Sequence, residues 1–322
     1  MTHTQAHAPG PLDLVALVSF DGEIYENQAL TRDRLGRPQA TPHALGAAIR
    51  GWLGRGPHVW IDVNGRQILG IATARELGRH DVWEIDTLID ATAGSERVVE
   101  ELLRQAVEAA AEDRVRQVLL RVHADGPACV AALRSAFTAA LVERLWTGDA
   151  AAFREAAQRA DAAGVLAGVH VRAAAERDGL ALFQLFNRAL PVNARAALAL
   201  TLEEWEAVQE RRWLGRGARE LVAEVGGEVR ALVRAAPRGQ LLLLAEPGAD
   251  AAAQALLAAV APLFARVKRV TALLPDCAST PGALLEAHGL TPDAEFLLLV
   301  QRTARPIPVR AARQRRVVPT RG

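Results

Sequence analysis

This sequence is short of the residues that build extracellular scaffolds and metal sites. Its 322 residues include only two cysteines, Cys129 and Cys277. Two cysteines cannot form a disulfide framework, and they suit a reducing cytoplasm. Eight histidines are scattered, with no HxxH, HExxH or CxxC pair, which argues against a transition-metal site. The opening "MTHTQAHAPGPLDL" has neither a basic segment nor a long apolar one, so it does not read as a signal peptide. No apolar run approaches the ~20 residues needed to span a bilayer. A soluble cytoplasmic protein is expected. A net charge of +1 gives no global field for a polyanionic partner. Lys268 is the one lysine and Tyr25 the one tyrosine. A GC-rich coding bias accounts for the first; the second limits which side chains can act as acids.

Half of the residues are hydrophobic, ample for two cores in a chain of this length. A repeat organises them. "HVWIDVNGRQILGIATARE", from His58, reads as a hairpin on Asn64-Gly65, a turn whose residues adopt positive φ. A strand "VWEIDTLI" follows, then a helix from about Ser95 to Asp113, with Val98, Leu102, Ala106 and Ala109 at helical spacing. "RQVLLRV", "PACVAALRSA" and "AALVERLW" continue as strand, short helix and strand. Some 150–160 residues on, the order recurs: a hairpin on Gly226-Gly227, the strand "GQLLLLAEP", the helix "DAAAQALLAAVAPLFAR", the strand "VKRVTALLP", the short helix "TPGALLEAHGL" and the strand "AEFLLLVQR". A strand "GVHVRAA" and a helix from about Asp178 open the second copy. "LVALVSF" as a strand and "PHALGAAIRGWL" as a helix are expected to open the first. The expected division is residues 1–150, a helical linker 151–167, residues 168–304 and a basic disordered tail 305–322. The fold class is α/β (α+β): two tandem domains, each a mixed, mostly antiparallel sheet flanked by helices.

The element order resembles that of the GNAT (GCN5-related) N-acetyltransferase superfamily. "HVRAAAERDGLALFQLFNRA" carries a strand ending in Arg172 and a helix opening at Asp178. "LLEAHGLTPDAEFLLLV" resembles the family's closing unit, with Gly289-Leu290 where a Gly-Phe pair is usual; Ala136-Phe137 stands there in the first copy. The resemblance implies that the strand before each long helix splays from its neighbour. It implies acetyl-CoA, or another acyl-CoA, in the gap, with its pyrophosphate on the loop opening the helix. Helix N-termini favour such anions through free N–H groups and the dipole. It further implies acyl transfer to a small-molecule or peptide amine.

Both loops depart from the family's Arg/Gln-x-x-Gly-x-Gly/Ala pattern. "DATAGSER" has one glycine and no preceding cation. "AEPGAD" places Glu246, Pro247 and Asp250 where phosphates would lie. The first copy is therefore the expected cofactor site, at Thr87, Leu88, Ile89, Gly94, Ser95, Glu96 and Arg97. Glu84 and Asp86, two carboxylates on one face of an apolar strand, are the candidate bases; the alternative is a polar face bonded to neighbouring arginines. The family's tyrosine acid is missing, since Tyr25 lies outside the short helices. Both cysteines read as small buried residues, and Trp205 and Trp213 as half-buried packing residues. The tail holds six arginines and no acid, yet without aromatic interleaving it does not read as a nucleic-acid domain. The activity expected is acyl-CoA-dependent N-acyltransfer. A catalytically inactive tandem protein for dimerisation, ligand sensing or scaffolding is the alternative, and an interaction protein using its basic tail is another.

Overall fold

Two glycine turns set the frame. Gly65 has φ +65°, and Gly226 and Gly227 have φ +61° and +83°, a conformation open to residues without a Cβ. A computed structural model describes residues 6–21, 25–35, 44–52, 57–78, 81–92, 96–162 and 168–303. In the first half, α1 (Leu14–Phe20) and α2 (Ala44–Trp52) precede the hairpin β1 (His58–Asn64) and β2 (Gln67–Leu77). Then come β3 (Val82–Asp90), α3 (Glu96–Glu112), β4 (Gln117–His123), α4 (Pro127–Arg134) and β5 (Thr138–Asp149). α5 (Ala150–Ala162) leads to the second half: β6 (Val169–Ala173), α6 (Gly179–Ala189), α7 (Val192–Leu198) and α8 (Leu202–Ala207). It continues with β7 (Arg219–Val225), β8 (Glu228–Ala236), β9 (Gln240–Ala245), α9 (Asp250–Val260), β10 (Arg269–Pro275), α10 (Ser279–Ala287) and β11 (Leu290–Arg302).

The two copies build one sheet. Its order is β1-β2-β3-β4-β11-β5-β10-β9-β8-β7-β6. The closing strands are exchanged: β11 lies between β4 and β5, and β5 pairs with β10. All neighbours are antiparallel except β3 with β4 and β9 with β10. α3 and α4 cover the first half on one face, and α5 and α9 cover the second. On the opposite face α1 and α2 pack over β1 and β2, and α6, α7 and α8 enclose a core with Leu232 and Leu298.

"LVALVSF" forms α1 rather than the expected strand. Its buried residues Ala16, Leu17 and Phe20 follow helical spacing, while Val15 and Val18 face outward. The start is prepared upstream: the Gly10 N–H donates to Asp13 Oδ2 at 2.7 Å, and Pro11 supplies a fixed φ. At the sheet edge, beyond β1, stands an isolated bridge from His7 to Ile61. The second copy opens as expected, with Arg172 donating to both Asp178 oxygens at 2.6 and 2.8 Å. Trp205 and Trp213 are fully buried rather than half-buried, and Cys277 is exposed rather than buried. Residues 163–167 of the linker and the tail 305–322 lie outside the described residues.

Candidate functional site

The two parallel contacts of the sheet are short. β3 meets β4 at Val82–Gln117, Trp83–Val118 and Glu84–Leu119, then the strands part. β9 meets β10 at Gln240–Thr271 and Leu241–Ala272, then those strands part as well. Each half thus holds a wedge-shaped gap beside the strand that feeds its long helix. In β3 a bulge adds one residue, because Thr73 faces Thr87 while Ala74 faces Ile85. The extra residue reverses side-chain alternation, so Ile85 and Leu88 both reach the core under α3.

The first gap is filled by the chain itself. The Gln28 N–H donates to the Leu88 carbonyl at 2.9 Å, and the Leu30 N–H donates to the Arg121 carbonyl of β4 at 2.8 Å. Asn27 acts as a two-sided clip. Its Oδ1 accepts the Leu88 N–H at 2.8 Å, and its Nδ2 donates to the Asp86 carbonyl at 3.0 Å. The Arg34 guanidinium donates to the same carbonyl. The gap-facing edge of β3, where an amide-bearing ligand would pair, is bonded to residues 27–34.

The residues expected at the first site scatter around this plug. Glu84 is buried and takes Arg75 Nε at 2.8 Å. Asp86 accepts from Thr73 Oγ1 at 2.5 Å and faces Arg34 at 3.9 Å. Arg34 also reaches Thr87 Oγ1 at 3.4 Å. Leu88 and Ile89 point into the two cores on opposite faces of the sheet. Glu96 pairs with Arg134 across helices, and Arg97 is exposed on α3. Gly94 and Ser95 lie outside the described residues.

A buried charge cluster joins the halves. Arg121 is 1% exposed. It donates to Glu143 Oε2 at 2.5 Å and to both Glu210 oxygens at 2.9 Å. Arg32, from the plugging segment, bridges Glu143 (2.5 Å), Glu210 (2.8 Å) and the Leu273 carbonyl of β10 (2.9 Å). Arg75 holds Glu84 and, at 2.6 Å, Asp33. Burial and the neighbouring Glu210 carboxylate push the Glu84 carboxyl up to about 8, against Arg75 and Arg121. Burial also opposes ionisation of Glu210, but Arg121 and Arg32 outweigh it and hold that carboxyl well below its ordinary range. Charge balance agrees. Three arginines face four carboxylates here, and one proton on Glu84 makes the cluster neutral. Neutrality matters because an uncompensated buried charge is costly. The sequence reading missed Arg32, Arg121, Glu143 and Glu210. Arg121 in "VLLRVH" and Glu143 in "ALVERL" are charges of opposite sign within otherwise apolar stretches, which is the signal of a buried pair.

The second gap is held at its inner end, where Arg32 donates to the Leu273 carbonyl of β10, and is open along β9. Leu243 matches Leu88: each packs under its long helix, and each lies on the strand edge facing the gap. Among the described residues, no loop backbone or side chain bonds to the Leu243 N–H or carbonyl. A cavity of about 120 Å³ lies beside it. Leu243, from the α9 face, and Leu244, from the α6 face, both line it together with Pro275 of β10, which places it at the strand edge. Trp205 and Gln209 line both this cavity and a larger cleft of about 800 Å³. The cleft carries Glu76, Glu176, Glu206 and Glu220 against Arg211 and Arg212, so carboxylates outnumber guanidiniums.

Solved structures of similar fold include proteins described as N-acetyltransferases. One is a GCN5-related N-acetyltransferase from Sphaerobacter thermophilus, with TM-score 0.49 and 15% identity over 94% of this chain and 96% of that one. A tandem GNAT protein from the clavulanic acid biosynthesis pathway gives TM-score 0.47 and 16% identity over 92% and 94%. A GCN5-related N-acetyltransferase from Kribbella flavida gives 0.44 and 16% over 93% and 71%. No family model and no curated protein matches the sequence. Among the described residues no helix is long and apolar enough to cross a membrane, and no cluster of side chains suits a metal ion.

An acyl-CoA fits the two gaps differently. The first is bonded shut. The second offers the Leu243 edge to an amide-bearing arm, beside a cavity lined by leucines and by the ion pairs of Arg32 and Arg121 with Glu143 and Glu210. Its phosphate end fits poorly. Glu246 is buried there, held by Arg188 Nε at 2.6 Å and by Arg230, which also pairs with Glu228. Those two cations are matched by two carboxylates and leave no positive charge for a pyrophosphate.

Proposed function

We propose that this chain is a tandem acyltransferase-type protein in which the second half takes the acyl-CoA and the first half is structural. One observation carries the reading: the first gap is closed by Asn27, Gln28, Leu30 and Arg34, while the matching edge at Leu243 opens onto a cavity. The coenzyme, when bound, supplies an acyl group activated as a thioester. The chain's own part is to pair the arm along Leu243, bury the acyl group and admit an acceptor. The acid-rich cleft shares Trp205 and Gln209 with the cavity and suits a cationic amine. The incoming amine must lose a proton. Glu143 and Glu210, the carboxylates beside the cavity, are held by arginines, so proton removal falls to water in the cleft. Glu84 is held by Arg75, and Asp86 by Thr73 with Arg34 beside it, so neither is offered here as the base.

A second reading is favoured by the phosphate end. With Glu246 and Asp250 there and, among the described residues, no free base at the cavity, the second half would hold a thioester as a ligand without turning it over. Binding separates these readings from none. A ligand at ~100 times its dissociation constant adds about 2.7 kcal/mol of stability. A thermal-shift titration with free CoA and acyl-CoAs of two to six carbons should raise Tm. Leu244→Trp, which fills the second gap, should abolish the rise. No rise with any of them at millimolar concentration refutes both. Release of free CoA in the presence of an amine marks the catalyst; binding without release marks the holder.

A further inference from the structure

We infer that the cavity beside Leu243 binds a small amphipathic carboxylate, a free acid with an apolar tail of about three to five carbons, through Arg234. The cavity, of about 120 Å³, has two unlike ends. β4 and β5 are both antiparallel to β11, and β8 shares their direction through β10 and β9. Each of the three presents a leucine to the cavity and, two positions on, a charged residue: Leu119 and Arg121, Leu141 and Glu143, Leu232 and Arg234. The leucines therefore lie towards one end and the charges towards the other. Phe186 and Leu298 pack with the leucines. A cavity of roughly 150 Å³ admits a six-carbon guest, which bounds the length of the tail.

The charged end carries more cations than anions. Arg32 and Arg121 are matched by Glu143 and Glu210. Arg234 is a third guanidinium on the lining, and its partner Glu220 is shared with Arg211 at 3.5 Å. Arg234 is 3% exposed. Its Nε donates to Glu220 Oε1 at 3.0 Å and its Nη1 to Gln209 Oε1 at 2.7 Å. Its Nη2 lies 3.0 Å from the same Glu220 oxygen but is not placed to donate to it, and among the described residues this buried nitrogen has no hydrogen-bond acceptor. A buried guanidinium donor left unmet is costly. A ligand carboxylate supplies both the missing acceptor and the missing charge, while its tail lies among the leucines. An inorganic anion leaves the apolar end empty, and a neutral chain leaves Nη2 unmet. The cleft that shares Trp205 and Gln209 with the cavity gives the ligand a way in. The ligand needs no coenzyme, so this site and the acyl-CoA site fail separately.

The test is calorimetric titration of the full-length chain, without coenzyme, with acetate, butyrate, hexanoate, hexan-1-ol and inorganic phosphate. Each buried methylene contributes ~0.8 kcal/mol, about fourfold in Kd. Butyrate should therefore bind about 15-fold more tightly than acetate, and hexanoate at least as tightly as butyrate. Hexan-1-ol and phosphate should give no saturable heat at millimolar concentration. Arg234→Gln should weaken butyrate by about tenfold or more. Leu232→Phe, which takes up part of the apolar end, should weaken hexanoate more than acetate. If Arg234→Gln proves unfolded by circular dichroism, the alcohol and the Leu232→Phe comparison still decide. No binding of any carboxylate at millimolar concentration overturns the inference and leaves the acyl-CoA reading standing. Hexan-1-ol binding as tightly as hexanoate overturns the role of Arg234, and acetate or phosphate binding as tightly as butyrate overturns the apolar tail. Affinities unchanged in both variants overturn the location.

Discussion

Replacing Glu84 by Gln should remove a loss of stability that the wild type undergoes as pH rises. The isosteric amide keeps an oxygen for Arg75 and a donor for Glu210, and it needs no proton. In the wild type the Glu84 carboxyl rises from an ordinary 4.5 to about 8 on folding. A carboxyl raised in the folded state binds its proton more tightly there. Its contribution is fully favourable below 4.5, declines as pH rises towards 8, and stays at its lowest above that. The slope of one such group is about 1 kcal/mol per pH unit. Glu210 moves the other way, so its contribution changes only below 4.5 and does not mask this window. His58 and His288, whose ring pKa values are lowered by burial, favour the folded state as pH rises, which flattens the wild-type curve. The difference between the two proteins cancels those histidines. Urea unfolding at pH 5, 6, 7 and 8 should therefore show Glu84→Gln gaining on wild type by about 3 kcal/mol across the range. A difference that stays constant with pH would mean that Glu84 is ionised throughout, and the neutral-cluster argument would fail.

Three further outcomes follow from the same geometry. Ala136 has φ +63° where the second copy has Gly289 at φ +79°. Ala136→Gly should add about 1 kcal/mol, since the left-handed conformation costs an L-residue ~1–2 kcal/mol; an unchanged urea midpoint would deny that strain. Asn27→Ala removes the side-chain partner of the Leu88 N–H and one of those of the Asp86 carbonyl. It should cost about 2 kcal/mol and speed hydrogen exchange at Leu88 while leaving Leu243 unaltered. The fragment 1–162 lacks β11, the neighbour of both β4 and β5. It should be aggregated or unfolded by circular dichroism, and co-expression with 163–322 should restore a soluble pair; a stable monomeric fragment would contradict the strand exchange.

What was legible in the sequence was local. The Asn64-Gly65 and Gly226-Gly227 turns, the apolar ladder of α3 and the Arg172–Asp178 opening each declare themselves within about a dozen residues. "LVALVSF" did not, because a seven-residue run with six apolar residues suits a strand or a helix face equally; the deciding Gly10-Pro11-x-Asp13 start lies outside the run. The exchange of β5 and β11 leaves no trace in composition. Both are long, apolar and antiparallel, and a repeated sequence does not state which copy a strand will join. The plug is harder still. Asn27, Gln28, Leu30 and Arg34 have no periodicity, and their partners lie some 50 to 90 residues away. The sequence placed carboxylates at both loops and so ranked the halves by their phosphate ends, which favoured the first. We rank them instead by their strand edges, the Leu88 edge being bonded to residues 27 and 28 and the Leu243 edge, among the described residues, not. One segment produces that reversal: Asn27 closes the first gap, while five residues later Arg32 reaches the Leu273 carbonyl and fixes the inner end of the second. The connection between α1 and α2 that seals one half therefore also shapes the other, so a variant such as Arg32→Ala should loosen both gaps at once.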